Sequence, residues 1–228
     1  MSENAKLPVI TIDGPGGTGK GTLCHALARE LGWHCLDSGA IYRAFALAAE
    51  WAEFKTSQIQ ELIHLAHHLD LYFDTNSEDG HTVYLNQKNV SEIIRSEHCG
   101  QLASQYATIP EIREALLERQ RQFAQLPGLV TDGRDMGTVV FPDASLKIFL
   151  TASVEERAQR RLHQLQAKGI DVTLEQVVDE LSKRDERDKN RAVAPLQAAK
   201  DAILIDTTAK SIGQVLEIVL QLAKNQIH

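Results

Sequence analysis

The chain has 228 residues, with 24 lysines and arginines against 31 aspartates and glutamates, for a formal charge of −7. That acidic excess argues against coating a nucleic-acid polymer or an anionic membrane. A hydrophobic fraction of 43% with 24% charged residues excludes a disordered or fibrous chain and suits one large domain, or a core carrying a small insertion. The polar N-terminal stretch lacks the apolar segment of a secretory signal, and no run approaches the ~18 apolar residues of a membrane span. Cys24, Cys35 and Cys99 are far apart in sequence and without C-x-x-C spacing, which speaks against a disulfide framework or a zinc site. The expectation is a monomer in a reducing cytoplasm.

Short apolar runs alternating with amphipathic helices predict an α/β fold, with a parallel sheet flanked by helices. Val9 to Ile12 is a β-branched run between Pro8 and a glycine cluster; Leu23, Leu27 and Leu31 then mark a helix closed by Gly32. A helix signal begins at Ser57. Its His64, His67 and His68 read as helix residues, because no carboxylate stands between them as in H-E-x-x-H. Leu71 to Phe73 and Val83 to Leu85, flanking the turn-rich Asn76 to Gly80, predict an antiparallel hairpin inside a small inserted subdomain at about 65–105. Further buried strands are expected at Leu129 to Thr131, Leu146 to Leu150 and Ala202 to Ile205. Capping boxes are expected at Ser153 with Glu156, Thr173 with Gln176, and Ser211 with Gln214. Trp33, Trp51, Tyr72 and Phe73 are expected to pack, whereas Tyr42 is the aromatic placed to touch substrate.

Chemistry enters at Gly14-Pro15-Gly16-Gly17-Thr18-Gly19-Lys20, which fills the first seven places of G-x-x-x-x-G-K-[ST]; Gly21 then precedes the hydroxyl residue Thr22. Glycines let backbone N–H groups turn around phosphate oxygens, and the helix N-terminus adds the positive end of its dipole. The loop follows a buried strand and opens an amphipathic helix, which is the context a phosphate loop requires. A nucleotide triphosphate is the expected ligand, with Lys20 reaching the β/γ-phosphates. Thr22 supplies the candidate Mg²⁺ hydroxyl, and Asp132 at a strand end the acidic partner for the ion's waters.

Arginines cluster at Arg157, Arg160 and Arg161 and again at Arg184, Arg187 and Arg191, with Arg43, Arg113 and Arg134 elsewhere. Beside a phosphate loop, such guanidinium forks suit a site for two phosphate groups. Transfer of a phosphoryl group to an existing phosphate needs alignment and charge neutralisation more than a base. The lack of a Ser/His/Asp or Cys/His set therefore fits. The lack of an Asn-Lys-x-Asp guanine-reading motif disfavours a GTP switch.

The loop, with its Gly-Lys-Gly-Thr ending, resembles those of nucleoside monophosphate kinases. Asp37-Ser-Gly-Ala-Ile-Tyr-Arg43, the Asp132 to Asp143 segment, and Arg184-Asp-x-x-Asp188-x-x-Arg191-x-x-x-Pro195-Leu196 resemble the bacterial cytidylate kinase family over nearly the whole chain. The resemblance implies a P-loop kinase core over 1–228, with a monophosphate-binding part at 38–105, the insertion at about 65–105, and a short helical lid at 155–170. It implies ATP and Mg²⁺ as cofactors and CMP or dCMP as acceptor. Ser38, Arg43 and Arg134 would meet the acceptor phosphate, Ser104, Arg113 and Asp135 the base, and Arg184 and Asp188 the sugar. Lys20, Arg134, Arg160 and Arg191 are the expected catalytic set, with Arg191 also on the substrate. In the lid, Arg157, Arg160 and Arg161 would swing over the phosphates, with Arg160 or Arg161 contacting ATP and solvation the alternative for Arg157. The alternatives are a P-loop kinase for another small acceptor, such as UMP or shikimate, and a nucleotide-binding regulatory protein without kinase activity.

Overall fold

A computed structural model describes residues 7–74 and 82–226. The chain divides into two compact units, Met1–Asp37 with Arg121–His228, and Ser38–Gln120.

The first unit is built on a five-stranded sheet in the order β2-β6-β1-β7-β8, all neighbours parallel. Its strands are β1 (Val9–Asp13), β2 (His34–Asp37), β6 (Leu129–Gly133), β7 (Leu146–Thr151) and β8 (Ile203–Asp206). The expected apolar runs thus become strands, each extended or shifted by a residue or two. Every residue of β1 and β6 is buried, as parallel strands covered on both faces must be. The edge strands β2 and β8 are only partly buried, each with a single buried residue. Helix α1 (Lys20–Leu31) packs Leu23 and Leu27 onto the sheet, and Gly32 stops it at φ 67° in the left-handed region. Helix α8 (Ile212–Gln226) adds Val215 and Val219 to the same core.

Helices α6 (Val154–Ala167) and α7 (Leu174–Lys189) pack together through Ala158, Leu165, Val177 and Leu181. The capping boxes at Thr173 and Ser211 form in full. At Ser153 only half of one forms. The Ser153 Oγ accepts from Glu156 N at 3.2 Å, but the Glu156 carboxylate turns outward to Arg160 at 3.0 Å, because a guanidinium one turn on is a stronger partner than the cap N–H.

The second unit holds α2 (Ser38–Trp51), α3 (Ile59–His67), α4 (Glu97–Tyr106) and α5 (Pro110–Arg121), the last ending at the boundary. The expected antiparallel pair is present as β3 (Leu71–Asp74) and β4 (Thr82–Leu85), in the register Leu71 to Leu85. A third strand, β5 (Lys88–Asn89), joins β4. The turn expected at Asn76–Gly80 lies outside the described residues. Two of the aromatics expected to pack are largely exposed. Trp51 is 43% accessible with Lys88 Nζ 5.5 Å from its ring centre, and Tyr72 is 58% accessible on the open face of its strand.

Candidate active site

The phosphate loop connects β1 to α1, and its shape follows from local constraints. At Gly14 (φ 147°) a side chain would collide with the Leu150 carbonyl of β7, so the loop can approach the sheet only there as glycine. Gly19 caps α1 at φ 90°. The loop carbonyls are tied up by donors: Lys20 Nζ donates to Pro15 O at 2.7 Å, Thr18 Oγ1 to Pro15 O at 3.1 Å, Arg157 Nη1 to Gly16 O at 3.0 Å, and Thr207 Oγ1 to Thr18 O at 3.3 Å. The first-turn N–H groups of α1 have no intrahelical acceptor, which leaves them for an anion.

Arg157 is therefore not solvated. It is 3% exposed, donates from Nε to Ala152 O at 3.2 Å, and pairs with Asp185 of α7 at 2.7 Å. Its work is to hold the loop's backbone. Arg160 donates from Nη2 to Thr207 O at 2.7 Å and pairs with Glu156, while Arg161 donates to Gln164 at 3.4 Å. Both line an open cleft of about 390 Å³ with Gly17, Thr18, Gly19 and Thr22. Thr22 is exposed at the rim of the helix start.

Next to the loop lies a buried cluster of alternating charge. Arg134 donates from Nε to Asp188 Oδ2 at 2.7 Å, and Arg191 Nη2 lies 4.0 Å from Asp188 Oδ1. All three are largely buried. Burial works against the Asp188 charge, and Arg134, Arg191 and Arg184 outweigh it, holding the carboxyl below the usual range. Arg184 and Asp188 thus belong to one network that also includes Arg134 and Arg191, rather than to a simple pair along the helix.

Lys20 is 6% exposed; burial, and then the Arg134 charge, push its ammonium down to about 7. Asp132 and Asp37 face each other across the β2–β6 register. Burial, then Asp37, push the Asp132 carboxyl well up, while Lys20 opposes them. The Asp132 Oδ1 is buried without a hydrogen-bond partner. Such an oxygen fits a cation or its waters.

Asp13 was not singled out in the sequence, though it ends the central strand just before Gly14. Its carboxylate accepts from Met136 N at 2.9 Å and from Gly137 N at 2.8 Å, capping a π-helical turn at Met136–Val140 and fixing the backbone beside Arg134 and Asp135. Burial pushes its carboxyl up to about 6 despite those N–H bonds. A folded value above the unfolded one means the contribution is present in full below about pH 4 and is lost as the pH rises through about 6. In thermal melts, the stability of the parent relative to Asp13→Asn should therefore fall across that window; a relative stability that rises would contradict the assignment.

Within the second unit, Ser38 Oγ donates to Gln120 Oε1 at 2.7 Å. Arg43 Nη1 donates to Ile94 O at 2.7 Å and Ser96 O at 3.1 Å, with its guanidinium against Gly100, where a side chain would meet Nη2 at 2.9 Å. Ser104 is buried, with an Oγ that lacks a hydrogen-bond partner. Arg113, also buried, lies 5.5 Å over the Tyr42 ring. Tyr42 is buried and serves as a platform for that arginine.

A glycine loop with a buried lysine, beside guanidiniums locked by carboxylates on a parallel sheet, defines a P-loop phosphotransferase. The comparisons give the family. A family model described as cytidylate kinase matches residues 10–225. The chain is 56% identical over 220 residues to the cytidylate kinase of Aeromonas salmonicida (strain A449), covering 96% of this chain and 95% of that one. It is 55% identical over 224 residues to that of Klebsiella pneumoniae (strain 342), covering 98% of each. This chain belongs to the cytidylate kinase family, and it is a nucleoside monophosphate kinase. The fold alone is shared with an uncharacterized protein from Eubacterium ventriosum ATCC 27560, at TM-score 0.53 and 12% identity over 96% of this chain and 99% of that one.

Proposed function

We propose that this protein phosphorylates CMP and dCMP with ATP, giving CDP and dCDP, as a monomer in the cytoplasm. Among the described residues, no helix is long and apolar enough to cross a membrane. The observation that carries the reading is the Arg134–Asp188–Arg191 cluster, whose arginines are fixed by a shared buried carboxylate beside Lys20, an ammonium that burial and then Arg134 depress. Fixed cations of this kind stabilise charge on a moving phosphoryl group without reorganising.

The acceptor phosphate is already anionic near neutral pH, so its oxygen attacks the γ-phosphorus in line and needs no base. Lys20 and the loop amides hold the donor phosphates, with Arg160 and Arg161 at the cleft. Ser38, Arg43 and Arg134 are the proposed contacts of the acceptor phosphate, with Arg191 in the catalytic set and on the substrate, and Arg184 and Asp188 the proposed contacts of the sugar. Thr22 and Asp132 are the proposed holders of Mg²⁺, acting through its waters. When bound, the ion neutralises charge on the β- and γ-phosphates. The proposed lid is 155–170, and the proposed monophosphate-binding part is 38–105 with its insertion at about 65–105.

Cytosine offers an N4 amino donor with N3 and O2 acceptors. The buried Asp135 carboxylate suits the amino group, and Arg113 with the unpartnered Ser104 hydroxyl suits the acceptors. Uracil would set a carbonyl against Asp135. ADP release should be measured with ATP, Mg²⁺ and each of CMP, dCMP, UMP, AMP and shikimate. CMP and dCMP are expected to give turnover well above the rest, and no rate above background would sink the proposal. Asp135→Ala is expected to narrow the CMP-to-UMP ratio of kcat/KM by about tenfold or more. Unchanged discrimination would remove Asp135 from base reading.

A further inference from the structure

The three cysteines, far apart in sequence, are not all apart in the fold. The reversal at Gly32 lays β2 beside α1. Cys24 Sγ and Cys35 Sγ then stand 3.2 Å apart, and Cys35 Sγ is 3.0 Å from His25 Nδ1. Cys24 is fully buried, with its thiol donating to Val130 O at 3.4 Å, whereas Cys35 is half-buried on an edge strand of the sheet. Cys99 lies in the other unit, with its thiol donating to Arg43 O at 3.2 Å. The molecule thus holds one close dithiol with an imidazole at its more accessible sulfur.

A shared metal ion fits this spacing poorly. Two thiolates on one tetrahedral zinc, each about 2.3 Å from it, stand roughly 3.7 Å apart. A disulfide needs the two sulfurs to close from 3.2 Å to about 2.05 Å.

We propose that Cys24 and Cys35 form a peroxide-oxidised dithiol, with Cys35 as the attacking sulfur and His25 as its base. With the imidazole proton on Nε2, Nδ1 accepts from the Cys35 thiol and takes its proton as the sulfur attacks one oxygen of a hydroperoxide. The O–O bond breaks, Cys35 becomes a sulfenic acid, and the alkoxide or hydroxide leaves with the proton from His25 as an alcohol or water. Cys24 sulfur then attacks the Cys35 sulfur, the S–O bond breaks, and the departing hydroxide takes the Cys24 proton as water. Two thiols and one hydroperoxide give one disulfide, one alcohol or water, and one further water. The dithiol gives up two electrons and the peroxide accepts them. The proposal does not rest on the phosphoryl-transfer reading, and its test is read without turnover.

Reduced protein should be exposed to hydrogen peroxide under native conditions, quenched with an alkylating agent, and weighed intact. The expected product is lighter by about 2 Da before alkylation. It should take up one alkyl group instead of three, and its non-reducing digest should contain a peptide joining residues 24 and 35 within one chain. Cys24→Ser should stop at a Cys35 sulfenic acid trapped by dimedone, and Cys99→Ser should still form the bond. His25→Asn should slow the oxidation by at least about tenfold, as loss of a positioned base does. Survival of all three thiols, oxidation at Cys99 alone, or a bridge between two chains would overturn the proposal. Oxidation of His25→Asn at the parent's rate would overturn the role given to the imidazole.

Discussion

Lys20→Met is expected to lower kcat by about 10²–10³-fold, the usual cost of deleting one preorganised donor to a developing anionic charge. Lys20 is buried, and its Nζ donates to the carbonyl of Pro15 in the same loop. With burial and Arg134 holding it near 7, the ammonium sits where a phosphate anion would raise its proton affinity sharply. Nucleotide binding is therefore expected to draw a proton from solvent around neutral pH, visible as a buffer-dependent heat in calorimetry. Methionine keeps the length and apolar stem of lysine but neither the charge nor the donors, so loop packing is largely spared. The measurement is steady-state turnover with saturating ATP and CMP, alongside a melt to confirm folding. Near-normal kcat in a folded variant would take Lys20 out of the catalytic set. Lys20→Arg is not expected to restore activity in full, because a planar guanidinium fork does not place its donors where the compact ammonium of Lys20 does.

The site was legible where its chemistry is carried by neighbours in sequence. Gly14 to Lys20 announces itself because a phosphate loop must be contiguous, and β1 and β6 announce themselves because a strand buried on both faces is apolar throughout. Strand β2 was missed for the converse reason: an edge strand with exposed His34 has no continuous apolar run. The two-residue β5 is too short to carry a period at all. The role of Arg157 is not legible in the sequence, because its partners, Asp185 and the Gly16 carbonyl, lie far away in the chain. On a helix with Arg160 and Arg161, it looks like one more exposed cation. The Cys24–Cys35 contact was equally hidden, since it depends on the reversal at Gly32 and not on any cysteine spacing. Trp51 and Tyr72 are expected to pack on residue type alone. Their faces of α2 and β3 point outward, and side-chain chemistry does not say which face a short element will bury.

Arg134 and Asp188 also illustrate how stability and function share the same charges. Asp188→Ala is expected to destabilise the protein by about 3–5 kcal/mol, because it strands the Arg134 and Arg191 guanidiniums that its carboxylate now compensates in a buried setting. Asp188→Asn should cost less than alanine, since an amide oxygen can still accept from Arg134 Nε while the charge is lost. The pH signature follows from the direction of the shift. The folded carboxyl lies below its unfolded value, so its contribution is present above the ordinary carboxylate range and is lost as the pH falls through the folded value. Denaturant melts of parent and Asp188→Asn should therefore converge as the pH drops below about 4 and stay apart at neutral pH. This is the opposite slope to that expected of Asp13, whose carboxyl is pushed up by burial with no arginine to hold it down. Two aspartates in one unit should thus be told apart by sign alone, and a parent–variant gap at Asp188 that widened on acidification would contradict the arginine-held carboxylate.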